Sequence, residues 1–169
     1  ITADLWPDLD ETAAGKNLRV TLAYLQNVFE PDRSELDPPY FVRSSHGALQ
    51  LVVDEALEVD SIRLERCLDE AARLERQGAL SAALAAYEQA TELWHGDYFE
   101  DLRADDWLQW ERDRIRGRFV ATAVRAGNLV LARGDIDKAL QLAERALAAD
   151  SWLESAYQLL IAAHLSAGD

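Results

Sequence analysis

Two Gly-Asp pairs, Gly134-Asp135 and Gly168-Asp169, stand 34 residues apart, and that period leaves few folds open to the chain. Residues five, nine and twelve places after Gly134 are Ala139, Ala143 and Ala146; the same offsets after Gly78 give Ala83, Tyr87 and Ala90. Two antiparallel helices cross closely only where small side chains lie at the crossing, and the glycine closes the turn between them. A unit of this size buries its apolar face only against its neighbours, so the array is a scaffold that offers a surface. Binding and regulation are expected ahead of chemistry.

This spacing resembles the tetratricopeptide repeat. The sequence predicts a helix running through residue 76, helices over 80–93, 107–132 and 136–149, and a last one ending near residue 167. Asp60 or Ser61 is expected to cap the first, and Asp150 or Ser151 the last. Gly78 and Gly134 are 56 residues apart, 22 more than one period, so one repeat carries an insertion around 94–115, centred on the aromatic run Trp94-His95-Gly96-Asp97-Tyr98-Phe99. Trp94, Trp107, Trp110 and Trp152 are expected to close joints between repeats, with a ligand or peptide groove as the alternative. Arg112, Arg116, Arg118 and Arg125 make the helix at 107–132 locally basic, partly offset by Glu111 and Asp113. The first reading is a solvated face; the second takes Arg112, Arg116 and Arg125 as contacts to an acidic or extended protein partner.

Residues 1–58 read differently. Ala3 to Trp6 fit the last turn of a helix stopped by Pro7. Thr12 or Asp10 can cap the next helix, over 13–29, in which Leu18, Leu22, Leu25 and Phe29 recur at helical spacing and form the stripe expected to be buried. The opposite face carries Lys16, Arg19, Val20, Ala23, Tyr24 and Asn27. After a proline-rich turn, residues 40–43 and 49–53 read as two strands, with Ser44-Ser45-His46-Gly47 as the turn. Helix, loop and hairpin make the second half of a winged helix-turn-helix, with the wing over 40–53.

Charge bounds the partners. The chain carries 31 acids against 17 lysines and arginines, a net charge of −14; residues 1–60 hold 12 acids and 4 bases. Neither half is a basic domain, so any DNA contact is local or shared with another part or a second copy. No run of 18 apolar residues suggests a membrane span, and no signal peptide opens the chain. The single cysteine, Cys67, makes no internal disulfide, fits a reducing cytoplasm, and reads as a small core residue. A chain beginning at Ile1 without methionine is expected to be a piece of a longer protein.

The order of these segments resembles the bacterial transcriptional activator domain, as found in antibiotic regulatory proteins and large ATP-dependent transcription regulators. The resemblance rests on Leu5-Trp6-Pro7-Asp8, Asn17-Leu18-Arg19-Val20-Thr21-Leu22 with Leu25, Pro39-Tyr40-Phe41-Val42-Arg43, Val59-Asp60, Tyr87, Leu93-Trp94-His95-Gly96-Asp97-Tyr98 and the 107–111 stretch. It implies a mainly α fold: a right-handed tetratricopeptide-like superhelix over 59–169, preceded over 1–58 by a partial winged helix with a short β-hairpin. It further implies that the helix at 13–29 is a recognition helix in the major groove and the hairpin a wing on the backbone or minor groove. That places Lys16, Asn17, Arg19, Thr21, Tyr24 and Asn27 near promoter DNA, with Arg43, Ser44 and His46 on the wing; His46 also fits an ordinary turn residue. The helical half would recruit RNA polymerase, hold a second copy as a homodimer, or receive a signal.

This chain departs from that family where several arginines are usual: the second half of its recognition helix holds Ala23, Tyr24, Gln26 and Asn27. Each lost phosphate contact weakens salt-dependent affinity, so DNA binding by this stretch alone is expected to be weak. A pure protein-interaction scaffold is the alternative. Catalytic patterns are missing: no phosphate loop, no H-E-x-x-H, no G-x-S-x-G. His46, His95 and His164 lie far apart in sequence. An enzyme, a cofactor and a metal are therefore not expected.

Overall fold

The computed structural model describes residues 1–34, 36–102 and 106–168, the side chains of residues 106 and 107 excepted. Among them the chain is mainly helical, with one two-stranded antiparallel sheet, and it divides into two compact units, Ile1–Glu58 and Val59–Asp169.

The first unit holds α1 (Thr2–Leu5), α2 (Glu11–Phe29), β1 (Val42–Ser45) and β2 (Ala48–Leu51). Of the two candidate caps for α2, Asp10 takes the role: its carboxylate accepts from the N–H groups of Thr12 and Ala13, both at 2.9 Å. Such a cap contributes about 1 kcal/mol. Helix and hairpin meet where Phe29 approaches Phe41, ring centroids 5.8 Å apart, and where the Gln26 amide donates to the Val42 carbonyl at 2.9 Å. The Glu30 carboxylate accepts from the backbone N–H of Tyr40 at 2.8 Å and of Phe41 at 3.0 Å, fixing where the chain enters the hairpin. The expected buried stripe forms only in part. Leu18, Leu22 and Phe29 are half-buried and Leu25 is exposed; the buried apolar side chains of this unit, among the described residues, are Ala14 and Val42. A 19-residue helix needs a second layer, and one short ribbon covers little of it.

The ribbon is tighter than its composition suggested. Val42 pairs with Leu51 and Ser45 with Ala48, so Ser44 and Ser45 are strand residues and the turn is His46-Gly47 alone. Both have positive φ, 52° and 78°, the pattern of a two-residue type I′ turn, whose twist suits a hairpin.

The second unit holds α3 (Asp60–Arg76), α4 (Leu80–Leu93), α5 (Asp106–Leu131), α6 (Ile136–Ala149) and α7 (Glu154–Ala167), each packed against the next in sequence. Gly78 and Gly134 close the α3–α4 and α5–α6 turns in the left-handed region, φ 75° and 83°. The bonding repeats residue for residue. Ala79 N–H donates to the Leu74 carbonyl and Gly78 N–H to that of Glu75; Asp135 N–H donates to Val130 and Gly134 N–H to Leu131. This is the Schellman pattern, which satisfies the last carbonyls of each helix and reverses the chain. Ala71, Ala83, Ala139, Ala143 and Ala163 are fully buried in one cluster with Tyr87 and Leu142. At Gly127 a Cβ would collide with Cδ2 of the buried Leu159, so a side chain there would oblige Leu159 to shift.

Three sequence expectations need correction. Asp60 begins α3 instead of capping it; Val59 is the N-cap, without a side-chain bond. Asp150 and Ser151 lie ahead of α7, whose N-cap is Leu153; the Asp150 carboxylate instead accepts from Trp152 N–H at 3.0 Å, closing a turn two residues on. Trp94 does close a joint, stacked on the buried Phe119 at 4.6 Å and 9°. Trp110 and Trp152 do not, being 66% and 92% exposed. The Trp107 side chain and Asp169 lie outside the described residues. Cys67 is partly buried against the cluster of Leu64, Leu68, Ala90 and Ile115.

Candidate functional site

On α2 the spacing of three and four residues brings Lys16, Asn17, Thr21, Tyr24 and Asn27 onto one exposed face, together with Val20 and Val28. Arg19 lies at its edge, where its Nε donates to the Gly15 carbonyl of its own helix at 3.1 Å. The hairpin candidates are exposed but not gathered. Arg43 and Ser44 are neighbours on β1 and so point to opposite faces. Arg43 lies 5.2 Å from the Tyr40 ring and donates to the Tyr40 carbonyl; His46 Nδ1 sits 2.7 Å from Ser45 Oγ in the turn. Tyr40 donates its hydroxyl to the Asp54 carboxylate. That bond holds Asp54 below the usual carboxylate range and pushes the Tyr40 phenol up. An ionised Asp54 beside Arg43 offsets its charge, which leaves Lys16 and Arg19 as the main cations of this surface.

The arginines of α5 are engaged internally. Arg112 is only 8% exposed. Its guanidinium donates to the Tyr98 carbonyl at 2.6 Å, the Leu102 carbonyl at 2.9 Å, and the Phe99 carbonyl. It is a staple for the loop after α4, not a surface contact, and so it leaves the set of partner candidates. One turn on, Arg116 grips Asp97 of the same loop, which keeps the guanidinium charged. Arg114 bridges Glu65 and Glu111, Arg118 bridges Glu65 and Asp69, and Arg125 pairs with Glu75. Glu65 is held below the usual carboxylate range chiefly by its bond from Arg114, then by that from Arg118, against the opposing effect of burial. Of the proposed partner contacts, Arg125 is the most open, with 55% of its side chain exposed.

The stapled loop divides two clefts. One, of about 330 Å³, lies between the start of α3, the end of α4 and the loop, and is floored by Leu64 and Ile115. The other, of about 350 Å³, lies between the loop and the end of α6, beside Arg145. Both contain Trp94 and Asp97 in their walls.

The sequence model of the bacterial transcriptional activator domain matches residues 59–169. The chain belongs to that family. The activator domain thus coincides with the all-helical unit, and residues 1–58 lie outside the match. Such domains are found in transcription regulators, consistent with a regulatory role. No curated protein matches the chain. No described helix is long and apolar enough to cross a membrane.

Sequence reasoning passed over several residues that shape the activator domain. Arg145 of α6 donates to the Thr91 and Trp94 carbonyls and lies over the Phe119 ring. Together with Arg112 and Arg116 it fixes the aromatic loop from a second helix. Nothing in its local sequence, an ordinary position on an amphipathic helix, marks it. In the first unit Gln26 and Glu30 were equally inconspicuous, although they place the hairpin against α2.

Proposed function

We propose that this chain is part of a transcription regulator in which α2 and the β1–β2 hairpin meet promoter DNA while the helical unit makes protein contacts. In this reading residues 1–58 are a partial winged helix-turn-helix and residues 59–169 a tetratricopeptide-like right-handed superhelix. Lys16, Asn17, Arg19, Thr21, Tyr24 and Asn27 face the major groove, and Arg43, Ser44 and His46 approach the backbone. Arg116 and Arg125 stay as contacts for a protein partner, be it RNA polymerase or a second copy. Membership of the activator family carries this reading, and the exposed polar face of α2 supports it.

A second reading, a protein-interaction scaffold, is favoured by one observation: the same face of α2 exposes Val20, Tyr24 and Val28 at 50%, 72% and 76%. Fluorescence anisotropy of the chain on duplexes from its own promoter region, at low and physiological salt, separates the two. The DNA reading expects specific binding that a Lys16→Ala/Arg19→Ala variant loses. It also expects the salt slope of log Kd to fall by about two, one per phosphate contact removed. Absence of binding at low salt would move the function to the scaffold.

A further inference from the structure

We propose that the cleft between α3, the end of α4 and the 94–102 loop receives an arginine or lysine side chain presented by a basic segment of a protein partner. Its lower part is apolar: Leu64 and Ile115 are each 3% exposed, and Leu93, Trp94 and Tyr98 are half-buried beside them. Its rim is acidic. Asp60, Glu100 and Asp101 line it, and among the described residues no lysine or arginine does. Asp97, the fourth carboxylate, is neutralised by Arg116. The Asp60 carboxylate accepts from the neighbouring Ser61 N–H.

An aliphatic stem on the floor and a cation at the rim suit a long basic side chain, which buries its methylenes and keeps its charge at the mouth. An anionic segment would meet like charge there. Three arginines of α5 are committed elsewhere, Arg112 to loop carbonyls and Arg114 and Arg118 to Glu65 and its neighbours. The Tyr98 phenol is pushed up first by burial and then by the carboxylates of Glu111 and Asp60, against the opposing charge of Arg114. The walls are also preformed, since three arginines hold the loop, and a partner need not order it on binding.

The site lies wholly within the helical unit and does not depend on DNA binding by α2, so either reading can fail without the other. The test is anisotropy of the whole chain with labelled twelve-residue peptides of fixed leucine and alanine framework. Their two central positions carry arginine, lysine, glutamine or glutamate. The arginine and lysine peptides should bind at least about tenfold more tightly than the glutamine peptide, and the glutamate peptide should bind weakest. A Glu100→Gln/Asp101→Asn variant should erase that preference. Both residues are exposed, so its urea midpoint should match the parent. Asp137→Asn/Glu144→Gln, at exposed positions of α6, removes the same two charges and should keep the preference. Equal binding of the arginine and glutamine peptides would overturn the proposal. So would a preference that survives the rim variant, or one that Asp137→Asn/Glu144→Gln removes equally.

Discussion

The two units of this chain use apolar residues in opposite ways. In the first, α2 presents a stripe of large side chains, Leu18, Leu22, Leu25 and Phe29, and none is buried; only Ala14 and Val42 are, among the described residues. In the second, positions as small as Ala71, Ala83, Ala139, Ala143 and Ala163 are wholly removed from solvent. Burial depends less on the size of a side chain than on a second layer to meet it. Five helices stacked in sequence supply that layer, and their small residues let backbones approach until larger neighbours such as Phe119 and Leu159 are enclosed. A two-stranded ribbon does not supply it. Local stability is therefore expected to be concentrated in the helical unit.

The sharpest challenge to this contrast is deletion of a ring. Phe119→Ala removes a fully buried side chain stacked on Trp94 and should destabilise the helical unit by about 3–5 kcal/mol in urea titration. Leu22→Ala in the half-buried stripe of α2 should have well under half that effect; equal losses would refute the contrast. Next comes Arg112→Ala, which leaves the carbonyls of Tyr98, Phe99 and Leu102 without their donor. A loss of about 2 kcal/mol is expected, with faster hydrogen exchange confined to residues 94–102. Unchanged exchange there would show that the loop is held by its aromatic rings instead.

Asp10→Ala tests the thin unit. Removing the α2 cap should cost about 1 kcal/mol and appear as lost helical circular dichroism, because little burial compensates it. The smallest effect is at Glu65. Its carboxyl is lowered in the folded state by Arg114 and Arg118, so its contribution is full above the usual carboxylate range and lost as pH falls through the lowered value. Glu65→Gln should therefore reduce stability near neutral pH by about 1 kcal/mol or less, and the difference should vanish in urea midpoints taken at strongly acidic pH. A deficit that persists there would mean that packing, not charge, is the source.

The helical unit was legible because glycine spacing and alanine offsets are local signals: Gly78 and Gly134 turn the chain where the sequence says, with matching backbone bonds. Cap positions were less so. Asp150 offered a side chain suited to a cap, yet used it on Trp152 before α7 had begun. The hairpin turn was misjudged because serines suit turns by composition, while a two-residue turn needs positive φ at only His46 and Gly47. The arginines of α5 misled most. Their number suggested a locally basic face, but besides the nearby Glu111, Asp113 and Asp97 they are engaged by Glu65, Asp69 and Glu75, which lie about fifty residues away in sequence, where no local window contains both partners. Arg112 was harder still, since its acceptors are carbonyls of a loop whose shape the sequence does not state.

Those long-reaching bridges have a kinetic consequence. Each helix hairpin closes through a short glycine turn, and chains rich in such local contacts fold in roughly microseconds to milliseconds. The bonds of Arg114, Arg118 and Arg125 to α3 span 49 to 53 residues, so they close long loops and are expected to form late. Interactions absent from the transition state act on the rate of unfolding and leave the rate of folding nearly unchanged. The arginines of α5 are thus expected to govern how long the folded state persists, and the alanine stripes how quickly it is reached.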